Sequence, residues 1–493
     1  MHTPSMSEFK ELAKEGNLIP LYREILADMD TPVSAYKKIA RGPYSFLFES
    51  VVGGEKWARY SFLGCEPSVI FKSKGGNVEI IENGETKIIH CDKDPLYHLK
   101  ELMNRYKPVK LPGLPRFFGG AVGYLGYDMV RFFEKLPELT EDDLGLPDSL
   151  LMITDTILIF DNVNQKIKVV SNAHTEGVDT EEAYHRAAER VEDMIDRLRS
   201  PIPIRENRKR LSKPEEPNSN FSKQAFKNIV EKARDYIREG DIFQVVLSQR
   251  FEVDNHEDPF DVYRAIRSLN PSPYLFLLTM DEVSLVGSSP EVLVRVEEGD
   301  ITLRPIAGTR KRGETEEEDK ALEEDLLADP KERAEHIMLV DLGRNDVGRV
   351  SQVGSVEVDE LMVIERYSHV MHIVSNVKSN INEGLDAYDV LRACFPAGTV
   401  SGAPKVRAME IIEELEPTKR GPYAGAVGYF SFTGNMDICI TIRTILIKGD
   451  KAYVQAGAGI VAYSDPESEY VETVNKAKGS MRALEIAAGG LNS

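Results

Sequence analysis

Tryptophan occurs once in this chain and cysteine four times. Cys65, Cys91, Cys394 and Cys439 lie far apart and form no CxxC pair. That spacing argues against a disulfide framework and a zinc cluster, and for a reducing compartment. No run of eighteen apolar residues occurs, so no membrane-spanning helix is expected. The N-terminus lacks a basic segment followed by an apolar core, so a secretory signal is not expected and a cytoplasmic location is. Positive charge is also short: 61 Lys and Arg against 81 Asp and Glu give a formal charge of −20. Such a balance disfavours nucleic acid as a partner, although a locally basic cleft in an acidic protein can still hold an anion. There is no GxSxG elbow, no Walker loop and no dinucleotide fingerprint, which removes the commonest hydrolase and nucleotide chemistries.

What is present is a long soluble-type sequence. Its 493 residues exceed one ordinary core, so two domains or one elaborate two-layer body are expected. Residues 201–221, rich in Pro, Asn and charge, read as a linker between a region 1–200 and a larger region 222–493. The N-terminal region mixes strands at Ser45–Val51 and Asn77–Ile89 with a helix over Thr180–Leu198. The C-terminal region opens with a helix capped by Ser222, stapled by Phe221 and Phe226, and stopped by Gly240. Strands are then expected at Ile242–Arg250, Ser284–Val296, Asp300–Ile306, Tyr423–Phe432, Met436–Ile447 and Lys451–Gln455, with Gly434-Asn435 as a hairpin turn. Strands outnumber crossover helices. The expected class is α+β: large mixed, mainly antiparallel sheets with helices packed outside.

Two helices carry carboxylates at matching spacing. One starts near Asp329-Pro330, ends before Gly343, and places Glu332 and Glu335 on one face. The other starts near Asp465-Pro466 and aligns Glu469, Glu472 and Lys476. Acidic pairs at helical spacing are commonly a solvated surface. Two such pairs can instead converge on a hard cation such as magnesium. In Met436–Ile447, alternation puts Asp437, Cys439, Thr441 and Arg443 on one face, and Arg443 could clamp a carboxylate or end an exposed edge. Glycine-rich turns at Gly308-Thr309, 398–405 and Gly457-Ala458-Gly459 offer backbone donors to an anion, or are plain loop chemistry. His369 and His372 stand in an apolar run, where a histidine is commonly a hydrogen-bonded core residue.

Read together, ten ordered segments resemble the chorismate-utilising enzymes over nearly the whole chain: GDIFQVVLSQR, GSSPE, RPIAGTR, AEHIMLVDLGRNDVGRV, RYSHVMH, FPAGTVSGAPKVRAME, GPYAGAVGY, ITIRT, VQAGAGIV and ESEYVETVNKAKG. Through FLFESVVGGEKWARYSFLG and NPSPYLFLL the chain is similar, within that family, to anthranilate synthase large subunits. Isochorismate and salicylate synthases generally lack that N-terminal block. The resemblance implies a β-sandwich-like core. It implies magnesium on Glu335 and Glu472, with Glu332 and Glu469 supporting. Chorismate is expected against Gly308, Thr309, Tyr423, Arg443, Gly457, Ala458, Gly459 and Lys476.

By the same resemblance, His372 is linked to pyruvate elimination, Thr399 lies against the ring, and Glu291 is the acid protonating the departing hydroxyl. Ser50, beside Glu49, and Pro273-Tyr274-Leu275 resemble a site where tryptophan binds and inhibits. The implied activity is anthranilate formation from chorismate and ammonia, opening tryptophan biosynthesis. Aminodeoxychorismate synthase of folate synthesis is the alternative. Gln244 replaces the lysine of water-adding relatives and Ala307 the lysine that attacks substrate in aminodeoxychorismate synthases, so direct ammonia attack is favoured. No glutaminase signature surrounds Cys65. A separate glutamine amidotransferase subunit, in a heterotetramer of two copies of each chain, is therefore implied.

Overall fold

In the computed structural model, residues 2–50, 59–91, 93–203, 216–367 and 370–491 are described. Val51, His369 and most of the expected linker lie outside them. Two twelve-stranded antiparallel sheets form the frame. The first runs Leu18–Leu26, Lys166–His174, Thr156–Asp161, Tyr60–Cys65, Tyr44–Glu49, Tyr274–Met280, Val283–Ser289, Thr444–Lys448, Lys451–Ile460 and Gln244–Asp254, then a short edge strand. The second runs Ile306–Lys311, Val370–Asn380, Asp300–Leu303, Val292–Glu297, Met436–Ile440, Ala426–Ser431, Gly120–Leu125 and Ser149–Thr154, then three strands between residues 69 and 90. Both sheets take strands from either side of residues 201–221.

The sheets face each other across an aromatic core that includes Phe46, Phe62 and Phe276 of the first and Tyr124 and Tyr429 of the second. Helices cover the outer faces. Thr180–Arg199, Pro259–Leu269 and Pro466–Gly489 pack on the first sheet, while Pro95–Met103 and Ala387–Cys394 pack on the second. The expected α+β sandwich with external helices is what the chain builds.

Local signals act as read. The Ser222 hydroxyl accepts from Ala225 N at the start of Lys223–Glu239, and Gly240 ends that helix in the left-handed region at φ 87. Phe221 and Phe226 meet edge to face at 5.8 Å. Phe226 is fully buried, so its loss to alanine would cost about 3–5 kcal/mol.

Four strand assignments need correction. Ser284–Val296 is two strands, Val283–Ser289 and Val292–Glu297, because the chain leaves the first sheet at Pro290 and joins the second. Asp300–Ile306 breaks at Pro305, which cannot donate to the ladder. Met436–Ile447 also changes sheet, with Met436–Ile440 in the second, Thr444–Lys448 in the first, and Arg443 at φ 52 in the junction. Asn77–Ile89 is a hairpin, turning at Asn83-Gly84. The helix from Pro330 runs through Gly343 to Gly348.

Candidate active site

The crossings at Pro290 and at Arg443 open into one cleft of about 570 Å³. Pro290-Glu291 and Ile442-Arg443 reach it from the crossings. Gln244 and Gln455–Gly459 reach it from the first sheet, Ile306–Thr309 and His372 from the second, and two helices close it. Of the residues expected at the catalytic, substrate and metal positions, all except Ala458 line this cleft. Ala458 is fully buried in the core behind its strand, so only its backbone faces the site.

The helix Pro330–Gly348 starts where Asp329 accepts from the amides of Lys331 and Glu332. Burial, reinforced by the Glu332 carboxylate, pushes the Glu335 carboxyl above its ordinary range, and Gln244 Nε2 lies 3.4 Å from Glu335 Oε1. Glu332 is also 3.4 Å from an Arg310 nitrogen. The helix Pro466–Gly489 starts where Asp465 accepts from Ser468 N at 2.9 Å. Burial pushes Glu469 up as well; the Ser464 hydroxyl opposes the shift and Glu472 adds to it. Glu472 is held by Lys476 Nζ at 2.6 Å, and Lys476 also donates to Gly457 O at 3.0 Å.

Among the described residues, no three His, Cys, Asp or Glu side chains are gathered closely enough to hold a metal ion by themselves. Two helices nevertheless bring four carboxylates to one cleft, where burial, with the neighbouring carboxylate adding to it, raises one member of each pair. An oxygen-only donor set with surplus negative charge fits magnesium, which takes few protein ligands and keeps water or substrate on the rest.

Arg443 lines the same cleft. Burial pushes its pKa down, and its guanidinium donates to the Lys476 carbonyl at 2.9 Å. A desolvated guanidinium facing a cleft is a receptor for a planar anion. Gly457 gives access: a Cβ there would come 2.7 Å from the Tyr423 hydroxyl, and one on Gly459 would come 2.5 Å from Gln244 Nε2. Burial pushes the Tyr423 phenol up to about 12.

Glu291 and His372 are two further titratable groups of the cleft. Glu291 is buried at the first crossing, and desolvation pushes its carboxyl up to about 8, against weaker pulls from Thr399 and Lys476. It therefore keeps its proton at neutral pH. Thr399 Oγ1 beside it is buried without a well-formed hydrogen bond among the described residues. His372 Nδ1 lies 3.0 Å from Thr309 Oγ1, and burial pushes the imidazole pKa down, so it is neutral. Gly308 holds φ 71, and a Cβ there would press within 3.1 Å of Leu326 and 3.2 Å of Glu332.

A second pocket, about 60 Å³, lies between the sheets and gathers Ser50, Pro273, Tyr274 and Leu275 with the rings of Phe48, Phe62 and Phe276. Tyr274 donates to Asp437 at 2.8 Å, and Asp437 is clamped by Arg295 at 2.7 Å and Arg116 at 2.9 Å. Glu49 is engaged by Arg267 at 2.9 and 3.1 Å. Sequence reasoning missed Arg116, Arg295 and the pocket role of Asp437, and also Lys331, Gln455 and Ser464 in the larger cleft. Gln455 was within reach, since it stands two residues before Gly457 on the same face of one strand.

This two-sheet frame brings Glu291, His372 and Arg443 into one cleft beside four carboxylates. Residues 49–482 match the chorismate binding enzyme family. Anthranilate synthase component 1 of Acetivibrio thermocellus is 52% identical over 493 residues, 99% of each chain. The crystal structure of anthranilate synthase component I from Streptococcus pneumoniae TIGR4 aligns with TM-score 0.78 and 42% identity, covering 92% of this chain and 98% of that one. MenF, the menaquinone-specific isochorismate synthase from Escherichia coli, shares the fold with TM-score 0.71 at 20% identity, over 98% of this chain and 99% of that one. The chain belongs to the chorismate binding enzymes, in the group of anthranilate synthase component 1. The resemblance read from the ten motifs holds for family and fold.

Proposed function

We propose that this chain converts chorismate and ammonia to anthranilate, pyruvate and water. The observation that carries this reading is the pairing, in one cleft, of a protonated Glu291 with a neutral His372. Arg443 receives one substrate carboxylate. Magnesium would be held by Glu335 and Glu472, supported by Glu332 and Glu469, and when bound would neutralise and fix the other carboxylate.

Glu291 then gives its proton to the ring hydroxyl as the carbon–oxygen bond breaks and ammonia's lone pair forms the new carbon–nitrogen bond. His372 removes the ring proton in the second step. The enolpyruvyl oxygen leaves with its bonding pair and the ring becomes aromatic. Gln244 and Ala307 both line the cleft. Neither side chain is an amine base or nucleophile, which supports attack by free ammonia rather than by water or the protein.

That ammonia would come from a partner glutaminase, in a heterotetramer of two copies of each chain in the cytoplasm. Cys65 does not supply it: burial pushes its thiol up to about 11, so it is not a thiolate nucleophile. The pocket of Ser50, Pro273, Tyr274 and Leu275 takes tryptophan as a feedback inhibitor, its rings suiting an indole and its polar rim an amino acid. Product analysis after incubation with chorismate, magnesium and ammonium salt tests the reading. Anthranilate supports it, whereas aminodeoxychorismate or isochorismate as the end product refutes it.

A further inference from the structure

Behind Glu291 lies a separate cavity of about 40 Å³, which shares Glu291, Thr399 and Leu339 with the cleft. We propose that this cavity receives the water formed when the ring hydroxyl departs. The inference rests on the proposed amination and adds a product site to it.

Chemistry places that water. As the carbon–oxygen bond breaks, the electron pair stays on oxygen, the Glu291 proton joins it, and a water molecule is left on the Glu291 side of the ring. If it stayed in the cleft it would keep the site wet during elimination. A cavity needs only about 10–15 Å³ to hold one water, provided polar partners face it. This one has room, and Glu291 and Thr399 face it from the cleft side. Thr399 Oγ1 is buried without a well-formed hydrogen bond among the described residues, and Glu291 becomes a hydrogen-bond acceptor once its proton is gone. Leu303, Leu342 and Ile440 supply apolar wall, and Arg304 and Asp346 add charged groups to the lining.

Gly343 offers a clean way to fill the space. It lines the cavity from within the helix Pro330–Gly348, and a Cβ there meets only Leu303 Cδ2, at an ordinary 3.6 Å. Gly343→Ala therefore adds a methyl group without a clash, and alanine favours the helix more than glycine does. The amination step should be measured in single turnovers from chorismate with ammonium and magnesium, and elimination from preformed aminodeoxyisochorismate. We expect Gly343→Ala to slow amination by roughly tenfold or more while elimination stays at the wild-type rate. In a crystal structure, a water on Thr399 Oγ1 in the wild type should be missing from the variant. Equal slowing of both steps, or slowing of neither, would overturn the assignment. Failure of the wild type to aminate chorismate at all would instead overturn the proposed function.

Discussion

His372 Nδ1 lies 3.0 Å from the carbonyl oxygen of Gly308. A carbonyl can only accept, so Nδ1 carries the hydrogen and Nε2 is left with the free lone pair. The left-handed Gly308 turn thus fixes the tautomer of the cleft's base. Replacing His372 with Asn keeps a donor for that carbonyl but removes the base. Elimination from preformed aminodeoxyisochorismate should fall by about 10²–10⁴-fold, with amination less affected. Unchanged elimination would take the base role away from His372.

The pH dependence separates the two groups. His372 must be neutral, and burial moves its pKa below the ordinary imidazole value. The acidic limb of elimination should therefore fall below about pH 6.5. Glu291 must be protonated, so amination, with rates normalised to free NH3, should decline as pH rises through about 8. In Glu291→Gln the amination rate should drop and that basic limb should vanish. A limb that survives the substitution belongs to another group.

Glu335→Gln and Glu472→Gln should each nearly abolish activity and leave the fold intact, because each removes an oxygen from the proposed magnesium site, on a helix whose cap is intact. Circular dichroism would check the fold, and steady-state kinetics across magnesium concentrations the effect. A variant retaining more than about a tenth of wild-type kcat/KM, a loss under roughly 1.4 kcal/mol, would not have lost a ligand.

The two helices and their cargo were legible in the sequence because caps are local. Asp329 and Asp465 each accept from an amide within three residues, and Glu332, Glu335, Glu469 and Glu472 follow by helical spacing. The crossings were not legible. Val283–Ser289 and Met436–Ile440 are buried at every position, so the alternation read through Met436–Ile447 did not mark an exposed face, and Thr441 and Ile442 continue the β-forming run through the second change of sheet. Pro290 was the available signal at the first crossing. At the second, Arg443 in the left-handed region had none, since only the tertiary frame imposes that φ. The Asp437 cluster was illegible for the same reason, as Arg116, Tyr274 and Arg295 meet it from three other strands or loops.

Ser50 stands at the mouth of the pocket between the sheets. Ser50→Phe should fill that pocket, so tryptophan inhibition disappears while chorismate turnover persists. Because coupling is reciprocal, chorismate with magnesium should weaken tryptophan binding to the wild type by the factor with which tryptophan weakens chorismate binding. Calorimetry without a nitrogen donor measures the first factor. Equal tryptophan affinity with and without chorismate, or full inhibition of Ser50→Phe, would move regulation elsewhere.

The origin of the nitrogen is the most direct test of the proposed chemistry. The purified chain, given chorismate, magnesium and 15N-ammonium at raised pH, should release anthranilate carrying the heavy nitrogen, read by fluorescence and mass spectrometry. With glutamine alone it should release none. Anthranilate made from glutamine by this chain by itself, or a ring product without nitrogen, would contradict ammonia attack in the Glu291–His372 cleft.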